Sequence, residues 1–241
     1  MKVTSNIIFT IDRLPKGYVF TYKDFIGEVN KKEAVIKALN RLVQSGKICK
    51  LSKGKFYKPE TTDFGLLQPK QEQIVKDLLE NDGKKIGYLT GYSIYNMLGL
   101  TTQVSNTIQI GKNELRSSIK RGIYKIAFIK QKNIITEENI PLLQILDSIR
   151  FIKKIPDSDL RTSCKRLKDI INQLFEKQIQ TLVRLAFKYP PSTRALLGAI
   201  LDETWKNEYT QSLRKSLNPI TNYNYPNLND VLSKSAEWNI R

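Results

Sequence analysis

Lys37, Asn40, Arg41 and Gln44 recur at three- and four-residue spacing in the stretch NKKEAVIKALNRLVQS, residues 30–45. On a helix they share one side. Their chemistry suits a nucleic-acid groove: asparagine and glutamine read adenine edges, arginine reads guanine, and lysine holds phosphate. Lys31 and Lys32 add charge at the start of the stretch. The plainer reading of the same pattern is a solvated helix face, which holds for most helices of this kind. The next residues, GKICKLSKGKFYKP, carry five lysines, and Lys50, Lys53 and Lys55 take outward positions around Gly54.

The elements that must position these side chains are legible nearby. Val35, Ile36, Leu39, Leu42 and Val43 form an apolar stripe at helical spacing, with Asn30 and Glu33 as a capping pair and Gly46 as a stop. Residues 4–13, TSNIIFTIDR, predict a first helix ended by Pro15 and Gly17. YVFTYKDF predicts a short strand that turns into a second helix at Thr21, with Asp24 at capping distance. After the third helix, Ile48, Leu51 and Phe56 face inward on a hairpin that turns at Gly54. Helix, strand and helix, capped helix, then hairpin is the order of a winged helix-turn-helix. There the third helix enters the major groove and the hairpin is the wing.

Charge supports that placement. The chain has 40 Lys and Arg against 23 Asp and Glu, a formal charge of +17, which favours a polyanionic partner. Residues 1–59 hold 13 basic and 4 acidic residues, and the rest of the chain holds 27 and 19. The excess is therefore densest where the helix and hairpin lie.

Other residue types exclude chemistry. With no histidine, Ser-His-Asp and Cys-His catalysis and histidine metal ligands are absent. The two cysteines, Cys49 and Cys164, form neither a CxxC pair nor a disulfide framework. No phosphate-binding glycine loop is present. The expectation is a protein without catalytic residues, metal or cofactor, in the cytoplasm. No signal peptide is visible, and no apolar run approaches the roughly 20 residues that cross a bilayer. Asp147, Asp157 and Asp159 keep open a rival reading as a carboxylate-dependent nucleic-acid enzyme, although scattered acids of this kind more often cap helices or face solvent.

Residues 60–69 read as a linker. A helix is expected over about 70–81, and Thr90 is expected to cap another helix carrying Tyr92, Ile94, Tyr95, Met97 and Leu98. VSNTIQIG and IYKIAFIK alternate as strands. The remainder is mostly helical, with a break at Pro190-Pro191 and an irregular tail at LNPITNYNYPNLND. The predicted class is α+β, mainly helical: a winged helix-turn-helix over 1–59, then a larger domain over 70–241, mixed α/β to about residue 135 and helical after it. Within that domain Lys112, Arg116, Lys120, Arg121, Lys125, Lys130 and Lys132 run with one acid, Glu114. They form either a solvated surface or a second electropositive face.

The pair ALNRLVQSGKICKLSKGKFYKP and YLTGYSIYNMLGLTTQVSNTIQI resembles the AbiE-type antitoxins of bacterial type IV toxin–antitoxin systems. The first segment is similar to their N-terminal winged helix-turn-helix, the second to the start of their antitoxin domain. The resemblance runs from about residue 5 to 155, and more loosely through the helical end. It implies a repressor that binds inverted repeats in double-stranded DNA upstream of its own operon. It also implies neutralisation of a nucleotidyltransferase toxin. By position, the wing contributes Lys50, Lys53 and Lys55, and the recognition helix Lys37, Asn40, Arg41 and Gln44. A stand-alone regulator without a toxin is the alternative.

Overall fold

The computed structural model describes residues 3–28, 32–204 and 207–241. The fold is α+β, in two units: residues 1–77 together with 120–124, and residues 78–119 together with 125–241.

In the first unit, helix α1 (Val3–Arg13) buries Ile7 and Ile11. Lys58 Nζ closes its C-terminal end by donating to the carbonyls of Asp12 at 2.7 Å and Leu14 at 2.8 Å. Such a cation both satisfies orphan carbonyls and opposes the helix dipole. Strand β1 (Val19–Thr21) runs into the second helix expected at Thr21, which is a 3₁₀ helix over Tyr22–Glu28. The Asp24 carboxylate accepts from the Thr21 backbone N–H at 2.6 Å, as the capping spacing predicts. Helix α2 (Lys32–Gln44) buries Val35, Ala38, Leu39 and Leu42, while Ile36 and Val43 are half-buried. The capping role expected of Asn30 lies outside the described residues. Gly46 stops the helix with φ +72°, and the Lys47 N–H returns to the Leu42 carbonyl at 3.0 Å.

Strands β2 (Cys49–Ser52) and β3 (Lys55–Tyr57) form the hairpin, with Gly54 at φ +74° in its turn. The sheet order is β1-β3-β2, antiparallel throughout. Ile48, Leu51 and Phe56 are buried, as expected; Ile48 lies just before β2, whose pairing with β3 shifts register between Lys50 and Ser52. Phe20 stacks on Phe56 at 6.3 Å and meets Phe25 edge-on at 5.6 Å, which joins the sheet to the helical side of the core. Residues 60–69, expected as a linker, group with this unit. They hold a small hairpin of β4 (Glu60–Thr62) and β5 (Gly65–Leu67), because Thr62 Oγ1 takes the Phe64 N–H and Gly65 turns at φ +104°.

The helix expected over 70–81 is interrupted. α3 (Gln71–Ile74) and α4 (Lys76–Leu79) are single turns separated at Val75, whose φ of −115° is not helical. The chain then enters a hairpin of β6 (Glu80–Asn81) and β7 (Lys84–Lys85), turning through Asp82 and Gly83 at positive φ.

The second unit pairs β8 (Gly87–Thr90) antiparallel with β9 (Thr107–Lys112). Thr90 ends β8 rather than capping a helix, and Gly91 opens the single turn α5 (Tyr92–Tyr95). Tyr95 is buried, and Met97, beyond the end of this turn, is exposed. β10 (Ile119–Arg121) and β11 (Tyr124–Lys130) follow, and β11 lies parallel to β9 with Ile126 beside Ile108. Helices α6 (Ile140–Arg150), α7 (Leu160–Asn172), α8 (Glu176–Ala186) and α9 (Pro191–Glu203) build the main core, with α10 (Thr210–Lys215) after them. Pro191 occupies the first turn of α9, where a missing N–H costs nothing. Trp238, near the chain end, fills the space above Gly198 of α9.

Candidate nucleic-acid interface

Helix α2 presents Lys37, Asn40, Arg41 and Gln44 to solvent while its opposite side fills the core of the first unit. The 3.6-residue period separates these two sides, so burying Val35, Leu39 and Leu42 fixes which residues point out. Lys32 is also exposed, with its ammonium 5.2 Å from the Tyr22 ring centre. Lys31, a further expected contact, lies outside the described residues.

The five hairpin lysines divide by task. Lys47 pairs with Asp12 at 3.1 Å, Lys58 closes α1, and Lys55 reaches Asp77 at 3.1 Å. Lys50 and Lys53 are exposed, and among the described residues neither has an ion-pair partner. Lys55 is therefore a brace first: its side chain is largely covered.

Asp77 also binds Arg121 through two parallel bonds of 2.6 and 2.8 Å, and Arg121 donates to the Ile74 carbonyl at 2.7 Å. Burial alone would raise the Asp77 carboxyl, but the hydrogen bonds and charges of Arg121 and Lys55 outweigh it and hold the group below 3.8. A depressed carboxyl stabilises the fold fully above the unfolded value, and that contribution is lost as pH falls through the folded one. Arg121→Ala is expected to cost the first unit about 2 kcal/mol near neutrality and to weaken this acid dependence, since Lys55 still pairs with Asp77. Amide hydrogen exchange over residues 49–57 at neutral and acid pH checks both. Protection unchanged in the variant would show that Asp77 and Arg121 do not brace the hairpin.

The second basic run does not form one face. Lys112 and Arg121 are buried, while Arg116, Lys120 and Lys125 are exposed. Lys112 follows Ile108 and Ile110 at two-residue spacing, which turns it to the covered side of β9. Lys120 and Arg121 group with the first unit, and Lys112, Arg116 and Lys125 with the second.

The three acids weighed for catalysis are placed apart in their roles. Asp159 caps α7, accepting the Thr162 N–H at 2.9 Å, and Asp157 accepts from the Gln103 side-chain amide. Asp147 is buried in the second unit. It accepts from Tyr88 and Thr90 at 2.7 Å each and from Tyr189 at 2.8 Å. Gln131 Nε2 donates to both tyrosine oxygens at 2.8 Å, and its own carbonyl takes the Asn133 N–H. Burial raises the Asp147 carboxyl despite these donors, and burial, with the nearby carboxylate, raises both tyrosines. Among the described residues no group of three acidic, cysteine or histidine side chains is arranged to hold a metal. No helix of the described residues is long and apolar enough to cross a membrane.

A family model described as "Family of unknown function (DUF6088)" matches residues 6–179, more than half of the chain. The chain belongs to this family. The match takes in the whole α2 face and hairpin, the Asp77–Arg121 brace, and Asp147 with two of its three partners. The structure is similar to the crystal structure of the RV2827C protein from Mycobacterium tuberculosis. The TM-score is 0.60 at 15% sequence identity, covering 92% of this chain and 84% of that one. At that identity the likeness speaks for the fold of this DUF6088 chain alone. A comparison with curated proteins found no match.

Proposed function

We propose that the first unit of this DUF6088 protein is a winged helix-turn-helix that binds double-stranded DNA upstream of its own operon as a repressor. α2 serves as the recognition helix and the β2–β3 hairpin as the wing. The observation that carries this is the exposed row Lys37, Asn40, Arg41 and Gln44 on a helix that leads directly into a hairpin with exposed Lys50 and Lys53. Asn40, Arg41 and Gln44 select bases, and the lysines position the chain on phosphates. The wider reading, from the resemblance, is an AbiE-type antitoxin acting in the cytoplasm against a nucleotidyltransferase toxin.

A salt titration of binding to the native upstream DNA tests the first part. With about five phosphates neutralised by Lys32, Lys37, Arg41, Lys50 and Lys53, the log–log slope is expected near −4.5. Lys53→Ala should flatten it by about one unit. Lys55→Ala should leave it nearly unchanged, because its ammonium already engages Asp77. Absence of binding at low salt, or equal effects of the two variants, would refute this assignment. Co-expression with the neighbouring gene tests the second part: growth rescue by wild type that persists in Arg41→Glu with Lys53→Glu places antitoxin activity outside the DNA-binding surface. An adjacent gene that is no nucleotidyltransferase points instead to a stand-alone regulator.

A further inference from the structure

Two adjoining pockets in the second unit share Arg150. The larger, about 590 Å³, is lined by Lys130, Lys132, Arg150, Phe187, Lys188 and Tyr189. The smaller, about 370 Å³, adds Lys153, Lys154, Asn222, Asn224, Tyr223 and Tyr225. Six cations therefore line these two pockets, which meet at Arg150, and none of the described residues lining them is acidic. Among the described residues these six have no ion-pair partner. Lys130 and Lys188 donate instead to the backbone carbonyls of Asn113 and Lys132, which leaves their charge uncompensated.

Aromatic rings alternate with the cations. Phe187 is 43% exposed, a large apolar ring on a charged rim. Arg150 lies 4.8 Å from the Phe151 ring centre, and Lys153 lies 4.7 Å from that of Tyr225. The buried Tyr223 hydroxyl, in the lining of the smaller pocket, has no hydrogen-bond partner among the described residues. Tyr189 and Gln131, which line the larger pocket, are tied into the Asp147 network.

From this combination we infer that these pockets bind single-stranded nucleic acid. Cations track the phosphates, and the exposed Phe187 ring stacks on a base that a single strand can turn outward. A duplex keeps its bases stacked inside and offers such a pocket only its phosphates. An acidic protein segment would engage the cations but has no use for Phe187. Asn222 and Asn224 can bond base edges.

The test is fluorescence anisotropy of the full chain with labelled oligouridine and oligodeoxythymidine of about eight nucleotides, with a duplex of equal length and poly-glutamate as competitors. Single strands are expected to bind with a salt slope near −2, as for about three neutralised phosphates. Lys132→Ala with Lys188→Ala should weaken binding about tenfold and flatten the slope by about 1.4. Phe187→Ala should weaken it several-fold without changing the slope. All three positions are exposed, and unchanged circular dichroism confirms that the variants fold. Lys50→Ala with Lys53→Ala should stay within about twofold, which separates this site from the wing. Failure of duplex binding by the wing would leave these results untouched. The inference is overturned if single strands do not bind, if the wing variant loses binding and the pocket variants do not, or if poly-glutamate displaces the strand while Phe187→Ala is silent. A difference between the RNA and DNA arms reports whether the 2′-hydroxyl is read, and either strand bound through these residues supports the site.

Discussion

Asp147→Ala is expected to destabilise the second unit by about 3–5 kcal/mol. The substitution leaves the Tyr88, Thr90 and Tyr189 hydroxyls without their acceptor in a region closed to water. Each buried donor left unpaired costs about 1–3 kcal/mol, and the tyrosines can relax only at the expense of their bonds from Gln131. Neither tryptophan precedes residue 205, so intrinsic fluorescence during denaturation follows this unit. Asp147→Asn keeps the shape and one acceptor and should lose less. Its effect also depends on pH. The folded Asp147 carboxyl is raised above 3.8, so the wild type is penalised as pH climbs from that value through the raised one. Asparagine does not titrate. The gap between wild type and Asp147→Asn should therefore be widest at low pH and shrink toward neutrality. A gap that does not change with pH would mean that the buried carboxyl is not raised.

Gly198→Ala is expected to cost the same unit about 2–3 kcal/mol, and Gly198→Val more. Ordinary helix propensity predicts the opposite sign, because alanine in a helix interior is favoured over glycine by about 1 kcal/mol. Packing decides. A methyl carbon at 198 would stand 2.1 Å from Cη2 of Trp238. The indole cannot easily move: its Nε1 donates to Asp202 at 2.8 Å, and the Arg214 guanidinium lies 4.9 Å from its ring centre. Thermal unfolding of Gly198→Ala, alone and with Trp238→Leu, measures this. The single variant should melt well below wild type, and the Gly198→Ala change should cost much less in the Trp238→Leu background. A single variant at or above wild-type stability would show that the indole yields.

Much of the first unit was legible in the sequence because its signals are local. The α2 stripe, the stop at Gly46, and the apolar residues Ile48, Leu51 and Phe56 about the Gly54 turn each span a few residues, and the α+β class follows from them and from the later strands. Asp147 was not legible as a network centre. It sits in the apolar run ILDSIR, and its partners lie 42 to 59 residues away along the chain. The division of labour among the hairpin lysines was hidden for the same reason: Lys55 depends on Asp77, and Lys58 on carbonyls 44 and 46 residues earlier. Lys112 is different. Its burial was readable from the two-residue period it shares with Ile108 and Ile110, had the strand register been applied to the charged residue as well as to the apolar ones. Arg150 and Lys188 joined no motif, since only folding places them around one depression.

The first unit is not one continuous length of polypeptide. It closes with residues 120–124, and it is Arg121 from that returning stretch that holds Asp77 and the Ile74 carbonyl. A cassette of residues 1–77 alone would leave Asp77 without Arg121. A fragment cut anywhere between residues 59 and 77 would carry the α2 face and the hairpin yet arrive without their distant clasp. Inheritance of the two units together, with one reading frame passing twice through the first, is the arrangement this topology favours.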